Sequence, residues 1–151
     1  MATVIESRDT RHDLKLTRVF DAPRALVFKA MTEASHVAAW WGPHGFSNPH
    51  VAIQPWPGGR FEVDMQGPDG TVQPMGGRFV SLDEPAGFVF RTSLATADGK
   101  LLVELEHTVA LEELGPRTRL ALHTRVLHVA PSMLSDLGGM GEGWSQSLER
   151  L

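Results

Sequence analysis

Apolar and polar residues alternate along most of this chain, and the period of the alternation changes twice. Over residues 13–20, Leu14, Leu16 and Phe20 fall on one face and Lys15, Thr17 and Val19 on the other, which predicts a strand. Asp21-Ala22-Pro23 ends it. Proline suits a first helical turn, where its missing N–H is unbonded in any case, and Asp21 lies near the positive helix end. Residues 23–31 therefore read as a short helix with Leu26, Val27, Ala30 and Met31 on one side. Thr32 is placed to cap a second short helix, which runs to about Trp41 and breaks at Gly42-Pro43. The period then returns to two, with strands expected over residues 51–54, 60–66, 77–82, 88–94, 101–112 and 118–127. Gly67-Pro68-Asp69-Gly70, Asp83-Glu84-Pro85, Ala97-Asp98-Gly99 and Leu114-Gly115-Pro116 have the composition of turns between them.

The stretch 101–112 is the most informative. Val103, Leu105, His107, Val109 and Leu111 share one face, while Glu104, Glu106, Thr108 and Glu112 share the other. One dry face and one wet face mark an antiparallel sheet covered on a single side. The cover is expected from the last segment, opened by Pro131 and Ser132, where Leu137, Met140, Trp144, Leu148 and Leu151 recur at spacings of three and four. Gly138, Gly139, Gly141 and Gly143 place a loop up to about Gly139 and the regular helix after it. The order strand, two short helices, about six strands and a long last helix gives an α+β class. It is a helix-grip plan, a curved antiparallel sheet of about six to seven strands with the C-terminal helix closing its concave side around an apolar cavity.

Composition narrows this picture. With 151 residues, 42% of them hydrophobic and 21% charged, the chain reads as one globular domain over 1–151. Residues 1–12 are expected as a flexible polar leader without the apolar core of a signal peptide. The absence of cysteine excludes disulfides, thiolate metal sites and a cysteine nucleophile. No run approaches the length of a membrane span, and a cytoplasmic location is expected. A formal net charge of −4 with dispersed arginines argues against a nucleic-acid partner.

Five short motifs in order carry a family resemblance. They are the opening run from Arg18 to Phe28, then Ala39-Trp40-Trp41-Gly42-Pro43, then Pro57-Gly58-Gly59-Arg60-Phe61. Pro68-Asp69-Gly70 with Gly77-Arg78-Phe79 follows, and Gly141-Glu142-Gly143-Trp144 with Leu148 and Leu151 closes the chain. Together they resemble the C-terminal domain family of activators of heat-shock protein 90 ATPase, within the START-like (SRPBCC) superfamily that also holds the birch-pollen-allergen fold. The resemblance implies a helix-grip domain. The family often carries an acidic residue and an arginine ahead of its Pro-Gly-Gly turn, where this chain has Gln54 and Trp56, so no polar role of that pair carries over. Relatives usually extend the last helix beyond the position of Leu151, so a trimmed C-terminus is expected. The resemblance also implies a stress-related or co-chaperone accessory as an alternative function, although the eukaryotic co-chaperones engage the chaperone through a further N-terminal domain. No such domain is expected in this chain, and with it no chaperone partner.

The leading functional expectation is a binding module for a hydrophobic or aromatic small molecule, without catalysis and without a cofactor. Its expected cavity lining is Trp41, Phe46, Trp56, Phe61, Met65, Phe79, Phe90, Leu105, His107, Met140, Trp144 and Leu148. His107 interrupts the inward apolar register, which fits either a buried neutral histidine with a local partner or the acid or base of a cavity-based cyclase or hydrolase. His36, His44 and His50 have no helical ligand spacing and straddle a turn, so no metal site is expected. His123 falls out of register with Leu120 and Leu122 and should point outward. Arg18 falls in the inward register between Leu16 and Phe20, where it would meet either a ligand carboxylate or a structural acid. Val80, Leu82, Val89, Leu102 and Ala110 give the outer sheet face enough apolar content for a possible homodimer.

Overall fold

The computed structural model describes residues 3–8, 13–42, 44–131 and 140–151, with side chains over 13–42, 44–131 and 144–151. Among the described residues, eight strands form one antiparallel sheet in the order β1-β2-β8-β7-β6-β5-β4-β3. They are β1 (Thr3–Arg8), β2 (Leu14–Phe20), β3 (Ser47–Ile53), β4 (Phe61–Gln66), β5 (Val72–Asp83), β6 (Gly87–Ala95), β7 (Leu101–Leu114) and β8 (Arg117–Val129). Between β2 and β3 lie two helices, α1 (Arg24–Thr32) and α2 (Ala34–Trp40). They carry the chain from β2, beside one edge of the sheet, to β3 at the opposite edge, and the meander from β3 then returns until β8 pairs with β2. The last helix, α3 (Met140–Arg150), packs against α2, β1 and β2 on the concave side of the sheet. This is the helix-grip arrangement.

The sheet coils because small residues stand where strands crowd. Gly77 faces inward between β4 and β6, and a Cβ there would stand 2.3 Å from the Arg91 carbonyl oxygen and 2.7 Å from that of Phe61. Glycine alone lets the backbone approach so closely, and the bend it permits curves the sheet around the core. That core joins Leu14, Leu16, Leu120 and Leu122 of β2 and β8 to Phe61, Phe79, Phe88 and Phe90 of β4 to β6. Val27, Phe28 and Met31 of α1, Val37 and Trp40 of α2, and Trp144 and Leu148 of α3 cover it.

Several sequence expectations are corrected. The sheet has eight strands rather than six or seven, because residues 3–8, expected within a polar leader, pair with β2 as β1. Main-chain pairing needs no apolar pattern, so a polar edge strand leaves little trace in the sequence. Thr32 does not cap α2; its hydroxyl donates to the Phe28 carbonyl 2.8 Å away, one turn back in α1, and Glu33 takes the N-cap position without a side-chain bond. Leu82 does not face outward. The register shifts between Phe79 and Ser81, so that Leu82 pairs with Phe88 and packs against the core. One extra residue flips every later side chain of a strand, and simple alternation cannot show it. The helix start expected at Ser132, with Leu137, Gly138 and Gly139, lies outside the described residues; α3 begins at Met140.

Candidate functional site

The inner face of the sheet has two halves of different character. In the dense half, rings meet rings. Phe90 stacks on Phe61 at 4.4 Å and on the His107 imidazole at 4.6 Å. Trp144, on α3, approaches His107 and Trp41 edge-on, both at 5.3 Å. Phe79 meets Phe61 at 5.6 Å, and Phe28 of α1 meets Phe88 at 5.6 Å. Separations of this size are ordinary for edge-to-face and offset stacking in packed cores. Trp41, Phe61, Phe79, Phe90, His107, Trp144 and Leu148, expected as walls around a cavity, are all buried here. The rings fill the space between one another, and Leu148 belongs to the same packed cluster.

His107 is the polar centre of that cluster. It is 1% exposed. Its Nε2 lies 2.9 Å from the Thr92 hydroxyl on β6, and its Nδ1 lies 2.8 Å from the Thr124 hydroxyl on β8. A neutral imidazole has one N–H to give and one lone pair to receive, and a hydroxyl can take either part. Both nitrogens are therefore satisfied in either tautomer. Burial disfavours the imidazolium and pushes the pKa from 6.5 to about 3, against a smaller opposing pull from the Glu106 carboxylate. The ring stays neutral at physiological pH, with no nitrogen left for a substrate, and this geometry does not support the acid–base role.

The second half lies toward the end of β6, the start of β7 and the end of β8. Leu105 faces inward in register with Thr92 and Val126. Leu94 is the partner of Val103, whereas Met65 lies on β4 two residues beyond Val63, which pairs with Met75. Met75 and Val103 are buried, but Met65, Leu94, Leu105 and Val126 are only half-buried. Among the described residues, Leu105 is not part of the packed cluster. An inward apolar position that the fold leaves half-covered is where a guest of matching chemistry gains most by burial.

The remaining expected residues scatter. Phe46 is half-buried, seated between Gly42 and Gly67. Trp56 is 55% exposed and lines no part of the concave face. Its loop is tied to β5 through Gly58 N–H to Phe79 O at 2.9 Å and Phe79 N–H to Gly59 O at 2.8 Å, which fixes the turn with the indole outside. The side chain of Met140 is outside the described set. Arg18 does keep the inward register, paired with Leu120, its guanidinium 5.5 Å from the Phe20 ring centroid. His123 points outward as expected, 4.0 Å from the Asp13 carboxylate. Thr92 and Thr124 were missed as partners of His107. The signal was present, since each is the polar residue that follows two apolar ones in an inward register.

Comparison with known proteins agrees with this architecture. A solution structure of a protein from Arthrobacter aurescens superposes with a TM-score of 0.83 at 23% identity, covering 96% of this chain and 86% of its own. The crystal structure of a protein from Mycobacterium smegmatis gives 0.79 at 23% identity, covering 97% and 91%. The AHSA1 protein from Silicibacter pomeroyi gives 0.77 at 22% identity, covering 91% and 93%. At these identities the likeness establishes the fold alone. No curated protein matches the sequence significantly. The model of one family, described as Activator of Hsp90 ATPase homolog 1-like protein, matches residues 21–151, and the chain belongs to that family.

Proposed function

We propose that this domain binds a hydrophobic or aromatic small molecule at the half-covered end of its concave face, and that it holds the molecule without transforming it. The observation that carries this reading is Leu105, an inward apolar side chain in the middle of the sheet that is half-buried and outside the packed core. Val126 on β8, its partner in register, extends the same surface, and the half-buried Leu94 and Met65, packed against the edge of the core, border it. The sealed Thr92–His107–Thr124 group forms its inner boundary, polar in composition but saturated, so an apolar guest meets no unsatisfied donor there. Native mass spectrometry of freshly purified protein, followed by denaturing extraction, tests the reading. A reproducible adduct of a few hundred daltons, enriched in apolar species, is expected. A clean apo mass across preparations, with no uptake of hydrophobic probes, would count decisively against it.

A second reading, an accessory to the heat-shock protein 90 ATPase, is supported by the family match over residues 21–151. It requires that the purified domain change the ATPase rate of the chaperone from its own source. An unchanged rate at saturating domain removes that support.

A further inference from the structure

The convex face, opposite the proposed ligand surface, carries an unusual row of charge. Cross-strand register places Arg60 beside Arg78, Arg78 beside Arg91, Arg91 beside Glu106 and Glu106 beside Arg125. Four arginines and one glutamate leave a formal +3 in a single line, on a chain whose total is −4.

Glu106 does not relieve the whole row. Its Oε2 accepts from Nε and Nη2 of Arg91, both at 2.9 Å, and its Oε1 accepts from Arg125 at 2.6 Å. The Arg125 hydrogen bond and then Arg91 hold its carboxyl below the usual glutamate range. Both oxygens are engaged. Among the described residues, Arg60 and Arg78 form no ion pair, and both are exposed. Glu62 and Glu104 face the same side two residues along, but neither pairs with them. Like charges directly opposed on a sheet are destabilising, so two successive Arg–Arg neighbours hold an unbalanced field in the free protein. Between β5 and β6 this line borders a shallow depression of about 250 Å³, lined by Gly77, Arg78, Arg91, Thr92, Ser93 and Glu104.

We propose that Arg60 and Arg78, with Arg91 adding its charge beside them while its fork holds Glu106, form a docking site for an acidic segment of a partner protein. Arginine forks engage carboxylates two bonds at a time, a match that lysine does not offer. Two strand spacings separate Arg60 from Arg91, roughly 10 Å, which an extended segment rising about 3.3 Å per residue spans with two or three carboxylates. A long polyanion fits poorly. The row is one side chain wide, Glu62 and Glu104 border it, and a nucleic acid would bring charges far beyond its ends into a net negative field. Being on the other face of the sheet, this site stands or falls independently of the small-molecule reading.

The test uses fluorescence anisotropy with a labelled decapeptide of alternating glutamate and serine, and a labelled ten-base oligothymidylate as comparator. The full chain is expected to bind the peptide more tightly than the oligonucleotide, with affinity falling as salt rises. Arg60→Ser/Arg78→Ser should weaken peptide binding about tenfold or more, while Arg117→Ser, at the far end of β8, should leave it unchanged. Thermal melts give a second readout: salt should raise the melting temperature of the wild type more than that of the double variant. Undetectable peptide binding by the wild type overturns the proposal. Equal binding by the double variant, or an oligonucleotide bound as tightly as the peptide, does the same.

Discussion

At the scale of single residues, His107 is the position where chemistry and stability are most closely linked. Its pKa in the fold is about 3 and its ordinary value 6.5, so between those values the unfolded chain binds a proton that the folded chain refuses. Its contribution is fully present above pH 6.5 and is lost as pH falls toward 3. Stability should drop by about 2 kcal/mol between pH 7 and pH 5, following roughly 1.4 kcal/mol per pH unit once the unfolded imidazole is charged. Urea titrations at the two pH values, on wild type and His107→Leu, separate this effect from the general acid response. The variant is expected to be about 1–3 kcal/mol less stable at pH 7, because the Thr92 and Thr124 hydroxyls lose their shared partner. Its slope between pH 5 and 7 should be much flatter, and an unchanged slope would show that His107 is not the titrating group. The histidine was legible in the sequence as a break in an apolar register. The inward register of Thr92 and Thr124 was legible too, but their pairing with His107 was not, because alternation reveals which face a residue takes and not which neighbour stands within reach on the next strand.

At the scale of elements, the C-terminal helix is held by its end as well as by its apolar face. Arg150 donates from Nη1 to Trp41 O at 3.1 Å and Gly42 O at 3.2 Å, and from Nη2 to Ala39 O at 3.0 Å. These carbonyls belong to the last turn of α2 and the residues just after it, the negative end of that helix. Arg150→Ala should cost about 1–2 kcal/mol and Leu148→Ala about 2–5 kcal/mol, measured by chemical denaturation. Arg150→Lys should recover only part of the first loss, since an ammonium lacks the planar fork that spans three carbonyls. The sheet makes a comparable demand at Gly77, where a methyl group meets carbonyls of two neighbouring strands. Gly77→Ala is expected to destabilise by about 1–3 kcal/mol or more, and a neutral result in a thermal melt would mean the bend is not fixed there. The helices and the long strands were readable because their periods persist over many residues. The strand at residues 3–8, the early start of β3 at Ser47 and the shift after Phe79 were not. Edge pairing rests on main-chain bonds, and a bulge is one uncounted residue in an otherwise regular pattern.

At the scale of the whole molecule, the two halves of the concave face suggest different tasks. Stacked rings, the sealed histidine and the α3 anchors Trp144 and Leu148 make one half a rigid core. The other half keeps apolar side chains only partly covered, so a change there should affect binding more than folding. Leu105→Arg is the discriminating substitution. A half-buried site can accept the arginine stem and let its charged end reach water, whereas the same change at a sealed position such as Leu120 would bury an unpaired charge. The variant is therefore expected to fold, with a far-UV spectrum like that of the wild type and a stability loss of no more than about 1–3 kcal/mol. An adduct that the wild type carries in native mass spectrometry should be absent from it, because a cation then projects into the surface an apolar guest would cover. If the adduct survives Leu105→Arg, the guest sits elsewhere; the open groove of about 620 Å³, where Ala25, Phe28, Pro55 and Leu82 stand among the charged Lys29, Glu33 and Glu84, then becomes the place to substitute. If the variant fails to fold, Leu105 belongs to the core after all, and the division of the concave face into a packed half and a receptive half is wrong.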